Sequence, residues 1–121
     1  MKINYKRVAW SGHYPAISKS LGDYSPNQLI KAFGKPSSPD MYENYAWIFQ
    51  DDLNGLVFKI HDRKVGERDP RHKEFNSTKN GSMIRPWVIG VSSFKNRENK
   101  LKFSDASDFL KWFNDKMGLV S

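Results

Sequence analysis

The stretch Tyr45 to Lys64, YAWIFQDDLNGLVFKIHDRK, constrains this chain more than any other. Two apolar, aromatic-rich runs flank DDLNG, a turn-forming segment in which Asn54-Gly55 supplies positive φ. The reading is a β-hairpin, about 44–50 and 55–61. Apolar residues fall on both of its faces: Trp47, Phe49, Phe58 and Ile60 on one, Ala46, Ile48 and Val57 on the other. A pair covered on both sides sits inside a sheet rather than at its edge. The second run ends in charge, as a polar cluster at His61-Asp62-Arg63-Lys64.

That cluster opens a basic stretch, Asp62 to Arg85, of 24 residues with very few apolar side chains. It holds seven basic residues (Arg63, Lys64, Arg68, Arg71, Lys73, Lys79 and Arg85) and four acidic ones (Asp62, Glu67, Asp69 and Glu74). Loops longer than about 12–15 residues are uncommon in compact domains and usually signal function or disorder. Pro86 to Phe94 returns to strand character, and Lys95, Arg97, Lys100 and Lys102 form a second basic patch.

Elsewhere the elements are fewer. Ile3 to Trp10 reads as an opening strand, and residues 16–24 as a connecting loop with little pattern. Ser25-Pro26-Asn27-Gln28 is a helix start: Ser25 caps, Pro26 suits the first helical position, and Gln28 completes a capping box. Leu29, Ile30 and Phe33 supply the apolar face of a helix over roughly 25–34, ended by Gly34 and Pro36. Ser104 or Asp105 starts a second helix running to Met117. Its broad face is Ala106, Phe109, Leu110, Phe113 and Met117, with Gly118 as terminator. The order β, α, hairpin, basic loop, β, α does not alternate regularly. It predicts one α+β domain over residues 1–121, with an antiparallel sheet of about four strands packed by two helices.

The spacing Leu29, Phe33-Gly34, Pro36, then Trp47, then Gly55 to Lys64, then Trp87-Val88-Ile89-Gly90 resembles a pattern in small proteins of bacteriophages and large DNA viruses. Those proteins pair a phenylalanine-glycine-x-proline helix end with a tryptophan-bearing strand. A strand ending in aromatic-aspartate-x-lysine comes next, then a tryptophan-x-isoleucine-glycine strand. The resemblance covers residues 29–91. This chain departs from it at His61, where an aromatic is usual, and in its longer basic loop before Trp87. The resemblance implies a viral origin, and with it nucleic-acid handling or the neutralising of a host factor.

Charge and composition bound the function. The net charge is +7, which favours polyanionic partners. There is no cysteine, which removes disulfides, thiol nucleophiles and cysteine-ligated zinc. The opening residues alternate apolar and polar types, unlike a secretory leader, and no apolar run is long enough for a membrane span. The chain reads as cytosolic. His13, His61 and His72 are too scattered for a metal motif, and neither a nucleophile elbow nor a glycine-rich phosphate loop occurs, so no cofactor is expected.

Three readings stay open. In the first, His61, Arg63, Lys64, Arg68, Arg71, Lys73 and Arg85, with Lys95 and Arg97 beside them, neutralise the phosphates of a nucleic acid or nucleotide while Tyr14, Trp87 or Trp10 stack on bases. In the second, the same surface docks on the acidic nucleic-acid channel of a host protein. The third is enzymatic. Pro39-Asp40 with Asp62-Arg63-Lys64 after it resembles the restriction-type nuclease motif, in which Asp40 and Asp62 hold a divalent metal, Lys64 helps activate water, and Glu43 or Asp51 adds an oxygen ligand.

Overall fold

The computed structural model describes residues 3–9, 17–37, 44–53, 55–63, 68–70, 73, 81–93 and 106–120. Its elements, in chain order, are β1 (Tyr5–Arg7), β2 (Ile17–Tyr24), α1 (Pro26–Phe33), β3 (Ala46–Asp51), β4 (Leu56–His61), β5 (Arg85–Ser93) and α2 (Ser107–Gly118). The fold is α+β: one five-stranded antiparallel sheet in the order β1-β3-β4-β5-β2, packed by two helices. The hairpin lies inside the sheet, with β4 at its centre. Among the described residues no helix is long and apolar enough to cross a membrane.

The fifth strand is β2, which falls where the sequence suggests only a loop. Its residues, ISKSLGDY, carry almost no apolar alternation, because β2 is an edge strand whose Ser18, Lys19, Ser20, Gly22 and Asp23 are exposed. A bulge between Ser20 and Gly22 breaks the period further. Gly22 takes φ 108° there, a conformation open mainly to glycine.

The hairpin turn is closed by Asp51. Its Oδ1 accepts from the backbone amides of Leu53 (3.2 Å) and Gly55 (2.8 Å), and Gly55 has the expected positive φ of 68°. The capping box at α1 is also present: the Ser25 amide donates to Gln28 Oε1 at 2.8 Å, and the Gln28 amide to Ser25 Oγ at 3.3 Å. Leu29 is fully buried and Phe33 partly so, whereas Ile30 points outward. The start expected for α2 at Ser104 or Asp105 lies outside the described residues. The helical residues begin after Ala106, which makes no side-chain cap, and Gly118 is the last helical residue, with Leu119 as the cap.

One sheet face builds the core. Trp47, Phe49, Phe58, Ile60, Trp87, Ile89 and Val91 meet Leu29 of α1 and Phe109, Phe113 and Met117 of α2. Phe58 and Phe109 stack at 4.3 Å, Phe33 and Phe113 at 5.6 Å, and Tyr5 meets Phe58 and Phe109 edge-on. Burial, then the charges of Asp108, Asp51 and Asp52, push the Tyr5 phenol up to about 12, so it stays protonated at any physiological pH.

Both buried tryptophans also hold α1 in place. Trp47 Nε1 donates to the Gly34 carbonyl and Trp87 Nε1 to the Tyr24 carbonyl, each at 2.8 Å, one just past the helix and one just before it. Arg7 adds two donations at the C-terminal end, to the Phe33 and Lys35 carbonyls (3.1 and 3.0 Å). An eight-residue helix is marginal alone, and these tethers supply what propensity does not.

Phe113→Ala opens a cavity between α2, Phe33 and Tyr24, and is expected to cost about 3–5 kcal/mol in urea denaturation. A cost below about 1 kcal/mol would mean that α2 does not seal this core.

Candidate functional site

The basic stretch begins at Asp62 and ends at Arg85, and the structure brings these two residues together. Arg85 Nη1 donates to Asp62 Oδ2 at 3.2 Å, and both side chains are at most 2% exposed. The pairing is a consequence of the sheet: β4 and β5 are antiparallel neighbours, so the chain leaving β4 after His61 comes back beside it at Arg85. The segment between them is thus closed at its neck by a buried ion pair.

Asp62 does more than pair with Arg85. Its Oδ1 accepts from the backbone amides of Asn44 (2.8 Å) and Tyr45 (2.9 Å), and its Oδ2 also accepts from Asn44 Nδ2 (3.0 Å). The Asp62 amide donates in turn to the Tyr45 carbonyl. The Arg85 guanidinium lies over the Tyr45 ring, 5.5 Å from its centroid. Tyr45 continues the contact inward, stacking on Trp47 and packing against Trp87. Burial, more than the nearby Asp62 charge, raises the Tyr45 phenol pKa, while Arg85 opposes the rise.

This geometry corrects several sequence-based placements. Arg85, expected on an exposed loop, is a buried strand residue. Fixed against Asp62 and Tyr45, its charge is turned inward. His61, expected beside it on the same surface, is the last residue of β4 and only 8% exposed. Trp87, offered for stacking on bases, has no exposed surface and donates its indole N–H to Tyr24. Asp62, offered as a metal ligand, already accepts four hydrogen bonds from protein donors, and a cation there would meet Arg85. Among the described residues, no group of three His, Asp or Glu side chains converges as a metal site. Arg63, Arg68 and Lys73 are exposed, as a contact surface requires. Asp40, Glu43, Lys64, Arg71, Lys95 and Arg97 lie outside the described residues, as do Trp10, Tyr14, His13 and His72.

Sequence reasoning missed Asn44 and Lys59. Asn44 is 2% exposed and spends both its amides on Asp62. Lys59 is 6% exposed in the central strand, on the face away from the helices. Its position at the middle of the apolar run VFKI was the available signal.

His61 shares that second face. Its Nδ1 donates to the Asp62 carbonyl at 3.0 Å, which fixes the proton on Nδ1 in the neutral ring. Burial, then the Lys59 and Arg63 charges, hold its pKa below the usual histidine value, against a raising contribution from the Asp62 carbonyl and carboxylate. No known family model, curated protein or solved structure matches the chain.

Asp62→Ala strands a buried guanidinium and is expected to cost about 3–5 kcal/mol. Asp62→Leu with Arg85→Met removes both charges and is expected to be less damaging than Asp62→Leu alone, as a double-mutant cycle in urea would read out. A double-variant loss equal to the sum of the two single-variant losses would show that the two charges are not coupled.

The His61 shift has a definite sign. The unfolded ring takes up a proton below about pH 6.5, while the folded ring resists it, so stability is complete above that value. It declines as pH falls from about 6.5 toward the depressed folded value. His61→Gln is expected to flatten this part of the stability profile. An unchanged slope between about pH 6.5 and 5 would assign it to other groups.

Proposed function

We propose that this protein is a small, basic, non-enzymatic binding protein that engages a polyanion, nucleic acid first among them, through the cationic loop rooted at Asp62 and Arg85. The observation that carries this reading is the division of labour within the stretch. The ion pair uses its first and last residues to close the neck. Between them the sequence leaves six basic and three acidic side chains. Arg63, Arg68 and Lys73 are exposed, and the net charge of +7 gives the whole molecule the same sign. The resemblance to small phage and large-DNA-virus proteins supplies a setting in which such a protein acts on nucleic acid or on what handles it.

Phosphate contacts made by exposed lysine and arginine release counterions, so affinity falls with salt. Trp87 is committed to the core, and the exposed Arg63, Arg68 and Lys73 read charge rather than base identity. The nuclease reading loses Asp62 to its four protein donors.

Arg68→Glu with Lys73→Glu is expected to weaken binding to a single-stranded oligonucleotide by at least about tenfold and to shallow the log-log salt slope by roughly 1–2 units. The unfolding free energy should stay within about 0.5 kcal/mol of the parent. Unaltered affinity in the double variant would overturn the reading. Affinity capture with and without nuclease treatment separates partners: a protein retained after nuclease, and lost in the double variant, would favour docking on a host protein's acidic channel instead.

A further inference from the structure

Trp47 and Trp87 have no exposed surface and spend their indole N–H groups on the carbonyls beside α1. Trp112 of α2 is placed differently. It is only partly buried, and among the described residues its N–H has no acceptor. Four rings pack against it: Tyr5 of β1 at 4.9 Å, Phe49 of β3 at 5.1 Å, Phe109 of its own helix at 5.3 Å and Phe33 of α1 at 5.5 Å between centroids. Their planes are tilted from the indole by 42°, 71°, 44° and 40° in the same order, so none of the four lies flat on it. What lies over the indole is the Lys116 ammonium, one helical turn on, 5.8 Å from the ring centroid.

The charge around this ring is positive on balance. Lys111 and Lys116 of α2 are exposed, and so are Lys31 and Lys35 at the end of α1, which Phe33 brings up to Trp112. Arg7 reaches the same end, but its donations go to the Phe33 and Lys35 carbonyls, so it adds charge and no free donor. The acids are Asp108 and Asp115, about one turn either side of Trp112 on α2, and Asp108 bears on Tyr5. A cationic ligand is therefore disfavoured. A flat aromatic group joined to a negative charge fits, because the ring supplies a stacking face and the lysines supply the opposite sign.

We propose that Trp112 and Lys116 form a stacking contact for one base of a single-stranded nucleic acid. The base replaces the ammonium over the indole, and the ammonium turns to the neighbouring phosphate. An exposed cation–π contact is weaker than the stacking of a base on an aromatic side chain, so the exchange runs in favour of the base. A duplex keeps its base faces inside its own stack and has none to offer. The proposal rests on the reading of this protein as a polyanion binder and narrows the partner to single strands. It uses neither Arg68 nor Lys73, so the two can fail separately.

The probes are oligothymidylate and an abasic oligomer of the same length, which carries the same phosphates and no bases. The parent protein is expected to bind oligothymidylate at least about tenfold more tightly than the abasic oligomer. Trp112→Leu should bind the two alike, with an unchanged salt slope, because an indole releases no counterions. Lys116→Gln, an exposed change, should keep the preference for bases and lower the salt slope for oligothymidylate by about one unit. Oligothymidylate should quench the tryptophan fluorescence of the parent, and the abasic oligomer should not. Trp112→Phe keeps a ring in the cluster and carries the test where Trp112→Leu does not fold: its remaining tryptophans should not be quenched. Equal binding of the two oligomers by the parent would overturn the stacking contact and leave the charge reading standing. A base preference that survives Trp112→Leu, or quenching that survives Trp112→Phe, would assign the stacking to another ring and overturn the proposal. A salt slope unmoved in Lys116→Gln would remove Lys116 from the contact. Binding of neither oligomer would overturn this proposal and the polyanion reading together.

Discussion

The Asp62 carboxylate is the interaction on which the rest of the arrangement depends. Three pieces of chain distant in sequence meet at its two oxygens: the approach to β3 at Asn44 and Tyr45, the exit from β4, and the start of β5 at Arg85. A buried carboxylate is costly unless its lone pairs are filled, and here four donors fill them. The donors are of unequal kinds. Two are backbone amides just ahead of a strand, buried groups that need a partner in any case. Asp62 thus satisfies buried backbone and neutralises Arg85 with one side chain. The Arg85–Tyr45 contact then passes the same fixation to the aromatic core.

From that corner the core is laid down in a definite order. Tyr45 stacks on Trp47, Trp47 packs on Trp87, and the two indoles reach out of the sheet plane to the carbonyls flanking α1. Each tryptophan therefore fills space and satisfies a carbonyl at a helix end, where backbone groups lack intrahelical partners. The far half of the core is a ring cluster of Phe33, Phe49, Phe58, Phe109 and Trp112. Short helices and a charged sequence suffice because large rings bury much area per residue and pack with defined geometry.

How far the sequence discloses this depends on the range of the signal. The capping box at Ser25 and Gln28, the turn at Gly55 and the double-sided apolar hairpin are local patterns, and each is found where the residues place it. β2 is illegible for a physical reason: an edge strand with exposed serines and a bulge has lost the period by which strands are recognised. The candidate surface was half legible. Composition makes the 62–85 segment basic, but whether a given cation faces water is a pairing question. Arg85 has its partner 23 residues back, across two strands, and no local pattern announces it. His61 and Lys59 sit in an apolar run, where a charge reads as an interruption until the strand's second face is seen to be buried as well.

The two sheet edges are poor templates for an added strand. β1 has only three residues and carries Lys6 and Arg7. Arg7 is bent back onto the carbonyls after α1, and its strand offers little ladder to an incoming chain. β2 is longer, but Lys19 and the bulge at Gly22 interrupt any continuous register along it. Short strands, bulges and edge lysines are the devices that keep sheets from pairing with one another. One broad face is occupied by α1 and α2. At the end of the sheet where β4 finishes and β5 starts, Asp62 and Arg85 tie the two strands to each other. Exposed Arg63 stands beside this neck while Asp62 and Arg85 are buried within it, so charge is divided there between a side chain turned to solvent and a pair turned to the core.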